Sequence, residues 1–146
     1  MVLSLSPYLL AIGAAWVVAQ GAKYIIAVIK SGDIRNFRQL YLSGNMPSAH
    51  SASVVALLTV VGGLDGVDTG IFAVAALFAA IVMYDAVMVR RSSGEQGAAL
   101  TVLLKNQDSK IPMPRVAKGH TPVEVAVGAL LGLAVGLVAV TVVNAL

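Results

Sequence analysis

The sequence predicts an all-α fold: a single membrane domain of 146 residues, an integral helical bundle with about four transmembrane helices and a short interfacial helix. Three observations carry this prediction. Apolar residues make up 58% of the chain and charged residues 12%, against about 45–50% and about 25% in soluble domains. Mean hydropathy is +0.88. The apolar residues also collect into four stretches, at 9–29, 47–64, 70–89 and 122–143, parted by polar or glycine-rich breaks. A soluble globule and a disordered chain are both excluded, since ten Lys/Arg and seven Asp/Glu are too few to solvate either. The chain has no cysteine, which removes disulfides, thiolate zinc sites and cysteine nucleophiles.

Taken in order, the first stretch carries one charge, Lys23. Neither a basic segment ahead of it nor a small-residue cleavage site marks it as a signal peptide, so it is expected to stay as a helix. The second opens on Pro47 and the polar group Ser48-Ala49-His50-Ser51, and its length is marginal against the roughly 20 residues that cross a bilayer core. Gly62-Gly63-Leu64-Asp65-Gly66 is a turn. The third has one charge, Asp85, about one turn from its end, and is closed by Arg90 and Arg91. Residues 31–46 and 90–121 read as polar connectors. Within the latter, Glu95 to Leu104 is apolar enough for a short helix at the interface, which Ile111-Pro112-Met113-Pro114 then breaks. The fourth stretch has one charge, Glu124, near its start. Frequent Gly, Ala and Ser suit close helix contacts in lipid.

The basic residues set an expected orientation. Lys30, Arg35 and Arg38 lie in the first connector, and Arg90, Arg91, Lys105, Lys110, Arg115 and Lys118 in the third. Four spans put these two connectors on one side, and the positive-inside rule makes that side cytoplasmic, with both termini opposite. The pI near 9.5 then reflects topology and contact with anionic lipid headgroups, with no nucleic acid implied.

Ionisable groups within spans are costly and mark functional sites. Here they gather toward the cytoplasmic helix ends. The Pro47-Ser48-Ala49-His50 helix start offers free N–H groups suited to phosphate, with His50 as proton donor to a leaving alkoxide. An ordinary capped helix with a histidine facing interfacial water fits the same residues. His120 and Glu124 share one helix face at i,i+4. The carboxylate there fixes the tautomer and leaves the other ring nitrogen as nucleophile or base, or the two simply form a helix start. Arg90 and Arg91 suit phosphate and equally suit membrane anchoring. Asp85 needs a partner, and Arg91 and Glu95 face each other if the helix continues past Ser93. Lys23 either snorkels to the interface or reaches a phosphate at the helix ends. A weaker reading takes Asp85, Glu95 and Glu124 as oxygen ligands for Mg²⁺.

Lys23, then Ser43-Gly44-Asn45-Met46-Pro47-Ser48-Ala49-His50-Ser51-Ala52, then Tyr84-Asp85 with Arg90-Arg91-Ser92-Ser93-Gly94-Glu95-Gln96, then Gly119-His120-Thr121-Pro122-Val123-Glu124 together resemble the divergent type-2 phosphatidic acid phosphatase family, related to acid phosphatases and vanadium-dependent haloperoxidases. The resemblance runs from about Ala19 to Gly136. It implies hydrolysis of a lipid phosphomonoester or diphosphate through a phosphohistidine, with no metal and no cofactor. It further implies His120 as nucleophile, Glu124 as the acid that orients it and His50 as general acid. Ser48 and Ala49 match the phosphate cradle, and Lys23 matches the lysine of the first phosphate-binding motif. The wider superfamily has Gly where this chain has Ala49, Asp where it has Glu124, an Arg-Pro pair after the lysine, and Ser-Arg before the histidine. Arg115 is the nearest counterpart to that last arginine, with Arg90 or Arg91 as substitutes.

The expected function is therefore a membrane lipid phosphatase at the cytoplasmic face, acting on phosphatidate-like or polyprenyl phosphates. The alternative is a non-catalytic binder or carrier of anionic lipid that keeps the same polar cluster. The chain is shorter than the usual six-span core, so a homo-oligomer whose second subunit completes the site is a further expectation.

Overall fold

Pro7 opens the first helix, where its missing N–H is no loss, and Gly32 closes it. This helix, α1, runs Pro7–Ser31, and Gly32 adopts φ 69° so that its N–H reaches the Val28 carbonyl. The structure, a computed structural model, describes residues 6–34, 46–107, 111–114, 116 and 119–146. Helix α2 spans Ala49–Leu64 and is capped by Ser48, whose hydroxyl accepts the Ser51 N–H. It begins two residues after Pro47, because Ser48 takes the extended backbone of a cap. Helix α3, Gly70–Tyr84, is capped in the same way by Thr69. A single π turn, Asp85–Val89, follows it, and then α4, Arg90–Asn106. Helix α5, Pro122–Ala145, starts with a reciprocal capping box between Thr121 and Glu124. All the described elements are helical, as expected.

Two expectations change. Residues 90–121 were expected to leave the third span as a connector holding a separate interfacial helix at Glu95–Leu104. Instead Gly70–Asn106 is one continuous 37-residue helix, about 55 Å long at 1.5 Å per residue. Nothing at Arg90–Ser93 stops a helix, Gly94 alone costs only about 1 kcal/mol, and the breakers Pro112 and Pro114 lie beyond its end. Secondly, three helices rather than four are long and apolar enough to cross a bilayer: Pro7–Ser31, Gly70–Asn106 and Pro122–Ala145. With 16 residues, α2 reaches about 24 Å, short of the ~30 Å hydrocarbon layer.

Short as it is, α2 is the hub, packed on α5 most extensively and also on α1 and α3. The α2–α5 pair runs parallel and almost backbone to backbone. Gly128, Gly132 and Gly136 lie in turn against Ser48, Ala52 and the Ala56–Thr59 turn. From α1 come Ala11, Ala15, Ala19 and Lys23, one residue per turn on the buried face; α3 contributes Ala75 and Ala79. The largest fully buried side chains are only Val60, Ser48 and Ser51. Bulky residues such as Trp16, Ile25, Ile71, Phe78 and Leu133 point outward instead. This is the inverse of a soluble core, and it suits a solvent in which helices cohere by close contact rather than by escape from water.

At one end the Tyr8 hydroxyl meets both Asp65 carboxylate oxygens at 2.9 and 2.8 Å, tying the start of α1 to the end of α2. Lys23 lies fifteen residues on from Tyr8, about 22 Å up α1, and so comes level with the start of α2. The starts of α2 and α5 and the π turn share that end.

Candidate functional site

The centre of this end is the start of α5. Glu124, third residue of the helix, receives the Thr121 N–H on Oε2 at 2.9 Å, and the same oxygen lies 3.2 Å from His120 Nδ1. His120 is 5% exposed. Its backbone N–H donates to the Ala86 carbonyl in the π turn at 3.0 Å. Gly119 makes this approach feasible, since a Cβ there would stand 2.4 Å from the Arg91 nitrogen and 2.5 Å from its Cα. Backbone cannot yield as a side chain can. Gly119→Ala is therefore expected to push the His120 segment off the helix at a cost of about 1–3 kcal/mol, seen as a lower melting temperature in detergent.

The start of α2 is pinned to the same helix. The Ser48 N–H donates to the Glu124 carbonyl at 3.1 Å, and only a glycine at 128 leaves room, because a Cβ would sit 2.4 Å from the Ser48 oxygen. Ser48 is fully buried. Its Oγ accepts from the Ser51 N–H and, at 2.9 Å, from the Ser51 hydroxyl. The side chain expected to cradle phosphate thus also caps the helix start. The first turn of α2 also has amides at Ala49 and His50, which an α-helix does not use internally. The His50 ring is exposed, in the electrostatic reach of Arg90, His120, Lys23 and Asp85.

Asp85 has its partner: Arg90 Nε donates to its Oδ2 at 2.8 Å. Arg91 Nε meets Glu95 Oε1 at 3.2 Å in a more exposed pair, which the continuous helix past Ser93 allows. Lys23 is 5% exposed and lines a cavity of about 380 Å³ with Lys30, Ser31, Met46, Thr121 and Glu124. His120 lines a second one, of about 370 Å³, with Arg91, Gly94, Glu95 and Gly119. Lys23, His50, Asp85, Arg90, His120 and Glu124 therefore converge on one end, although Lys23 and His120 open to different sides of it. Asp85, Glu95 and Glu124 do not converge as one set of oxygen ligands; each carboxylate has its own basic partner. Arg115 lies outside the described residues, as do Arg35, Arg38 and Ser43-Gly44-Asn45. Burial pushes the His120 imidazole below its ordinary value, and the Glu124 carboxylate beside it opposes part of that push.

Two helix starts clasped together, a carboxylate-held histidine and an arginine pair on one helix are spread across most of the chain, and the profile of the family described as divergent PAP2 matches residues 5–135. The chain belongs to the divergent PAP2 family. It is similar to the uncharacterized membrane protein YuiD of Bacillus subtilis (strain 168), with 37% identity over 140 residues that cover 86% of this chain and 88% of YuiD. It is a membrane protein. No solved structure matches it. The sequence did not reveal the close-contact roles of Gly119 and Gly128 or the part played by the Ala86 carbonyl in this chain. The two glycines carried a readable signal, sitting directly before His120 and four residues after Glu124. The carbonyl carried none, since any residue has one.

Proposed function

We propose that this divergent PAP2 protein is a lipid phosphatase that hydrolyses a phosphomonoester or diphosphate at the cytoplasmic membrane face through a phosphohistidine. One observation carries the reading: a buried histidine whose Nδ1 is held by a carboxylate at 3.2 Å, with Lys23 and Arg90 in electrostatic reach. A carboxylate on Nδ1–H fixes the tautomer and leaves the Nε2 lone pair free. Nε2 attacks phosphorus, the bond to the lipid oxygen breaks, and His50 gives that oxygen its proton. Water then attacks phosphorus, the P–N bond breaks, and His50 takes a proton back. The α2 amides and the basic side chains balance the charge on the equatorial oxygens.

The test is phosphate release by the purified protein from phosphatidate and polyprenyl phosphates, with and without chelator. Chelator-insensitive release with an acid-labile phosphoenzyme is expected. Lipid retention without release would establish the second reading, a binder or carrier of anionic lipid. That reading is favoured by one observation: both arginines already hold carboxylates.

The pH profile follows from the His120 environment. Neutral imidazole is the reactive form, and a lowered pKa keeps it neutral to more acid pH. The acid limb of kcat/KM is expected below about 6.5, the ordinary histidine value. A limb clearly above that value would contradict the nucleophile assignment.

A further inference from the structure

In an α-helix the Ala86 carbonyl accepts from the N–H four residues on, which is Arg90. Here the Arg90 N–H donates to Asp85 instead, five residues back, and Ala86 loses its helical donor. The His120 N–H takes the vacancy at 3.0 Å. Both partners are buried, Ala86 at 3% exposure and His120 at 5%, and a buried backbone group left without a partner is costly. Each therefore needs the other. The same widened turn brings Asp85 beneath Arg90, whose guanidinium it holds at 2.8 Å.

We propose that the π turn Asp85–Val89 is the positioning device of the site. The turn orphans one carbonyl so that the segment carrying His120 docks on the third helix in a single register, and it steers Arg90 toward the histidines. Ala86 acts through its backbone and Asp85 through Arg90; both are positioning residues. The catalytic consequence rests on the phosphatase reading, whereas the docking does not. π turns commonly mark functional sites in helices, and this one accounts for its own presence: an unbroken α-helix would close over the Ala86 carbonyl.

Deleting Met88 tests this. The residue is 54% exposed, so no buried side chain is lost. The shortened turn places Arg91 four residues after Ala86, whose carbonyl regains a helical donor, while Asp85 and Arg90 fall at i,i+4 and still pair. The readouts, on the full chain in detergent, are NMR hydrogen exchange of the His120 amide and steady-state phosphate release. Slow exchange is expected in wild type and exchange at least about tenfold faster in the deletion, with kcat down about 10²-fold and KM changed by less than about threefold. Loop-like exchange in wild type, or a folded deletion with wild-type kcat, would overturn the proposal. If the deletion does not fold, Ala86→Val decides, because its added methyls wedge the docked segment away without altering chain length. It is expected to lose the same protection, and full protection with full kcat would count against the device. If wild type itself releases no phosphate, the phosphatase reading fails while amide exchange still judges the docking.

Discussion

Replacing His120 by Ala is expected to take phosphate release to background, a loss on the order of 10³-fold or more, because no second imidazole can form the P–N bond. His50 stands on another helix and lacks the carboxylate that prepares His120. Glu124→Gln gives the sharper comparison. Glutamine at the third helical position still completes the capping box, so the start of α5 and its melting temperature should hold. The glutamine's neutral amide oxygen accepts from Nδ1 more weakly than a carboxylate, and its NH₂ can turn to Nδ1 and select the wrong tautomer. It also carries no charge to stabilise the imidazolium formed when the phosphoenzyme is made, so kcat should fall about 10²–10⁴-fold. Activity surviving in His120→Ala would end the phosphohistidine reading. A large drop in melting temperature in Glu124→Gln would show that the carboxylate is mainly structural.

The largest effect on stability is expected at Gly132. A Cβ there would stand 2.2 Å from the Ala52 carbonyl oxygen and 2.9 Å from its carbon and Cα. Every one of those atoms is backbone, so α2 and α5 must part along their seam. Gly132→Ala should cost about 3 kcal/mol, the upper range for overpacking, and Gly132→Val should prevent assembly of the pair. Because the Ser48–Glu124 bond lies one turn away on the same seam, phosphate release should fall as well. Gly13 and Gly21 supply the control. A Cβ at either meets nothing within 4 Å, and alanine there should be neutral or gain up to about 1 kcal/mol of helix propensity. Thermal unfolding in detergent separates the two classes, and equal melting temperatures for Gly132→Ala and Gly21→Ala would refute the close-packed seam.

Helix existence was legible because apolar run length is a local signal, as is the cap at Ser48, whose bond the structure contains. The helix through Arg90–Asn106 was not, because charged residues were taken to end a span. Charge ends burial in lipid, whereas ending the helix itself takes a breaker such as Pro112. The candidate site was half legible. The i,i+4 spacing of His120 and Glu124 is itself a geometric statement, so their contact could be read directly. Ser48 could not be assigned, since a hydroxyl that caps a helix and one that binds phosphate look alike in sequence. The docking of His120 on Ala86 joins groups thirty-four residues apart through a backbone atom, beyond the reach of any residue pattern.

The brevity of α2 has a further consequence. Its first turn stops about 24 Å from its far end, while α1 continues beyond Lys23 to Ser31, so the reactive end sits in a step below the rim of the bundle. On the phosphatase reading, a lipid substrate would be split where hydrocarbon gives way to water. The two products then partition oppositely: the dephosphorylated lipid remains dissolved in the membrane, and the phosphate ion is drawn out into the aqueous phase. Product separation would come from solubility alone, with no moving part, and the recess would act as a small phase boundary that makes back-reaction rare.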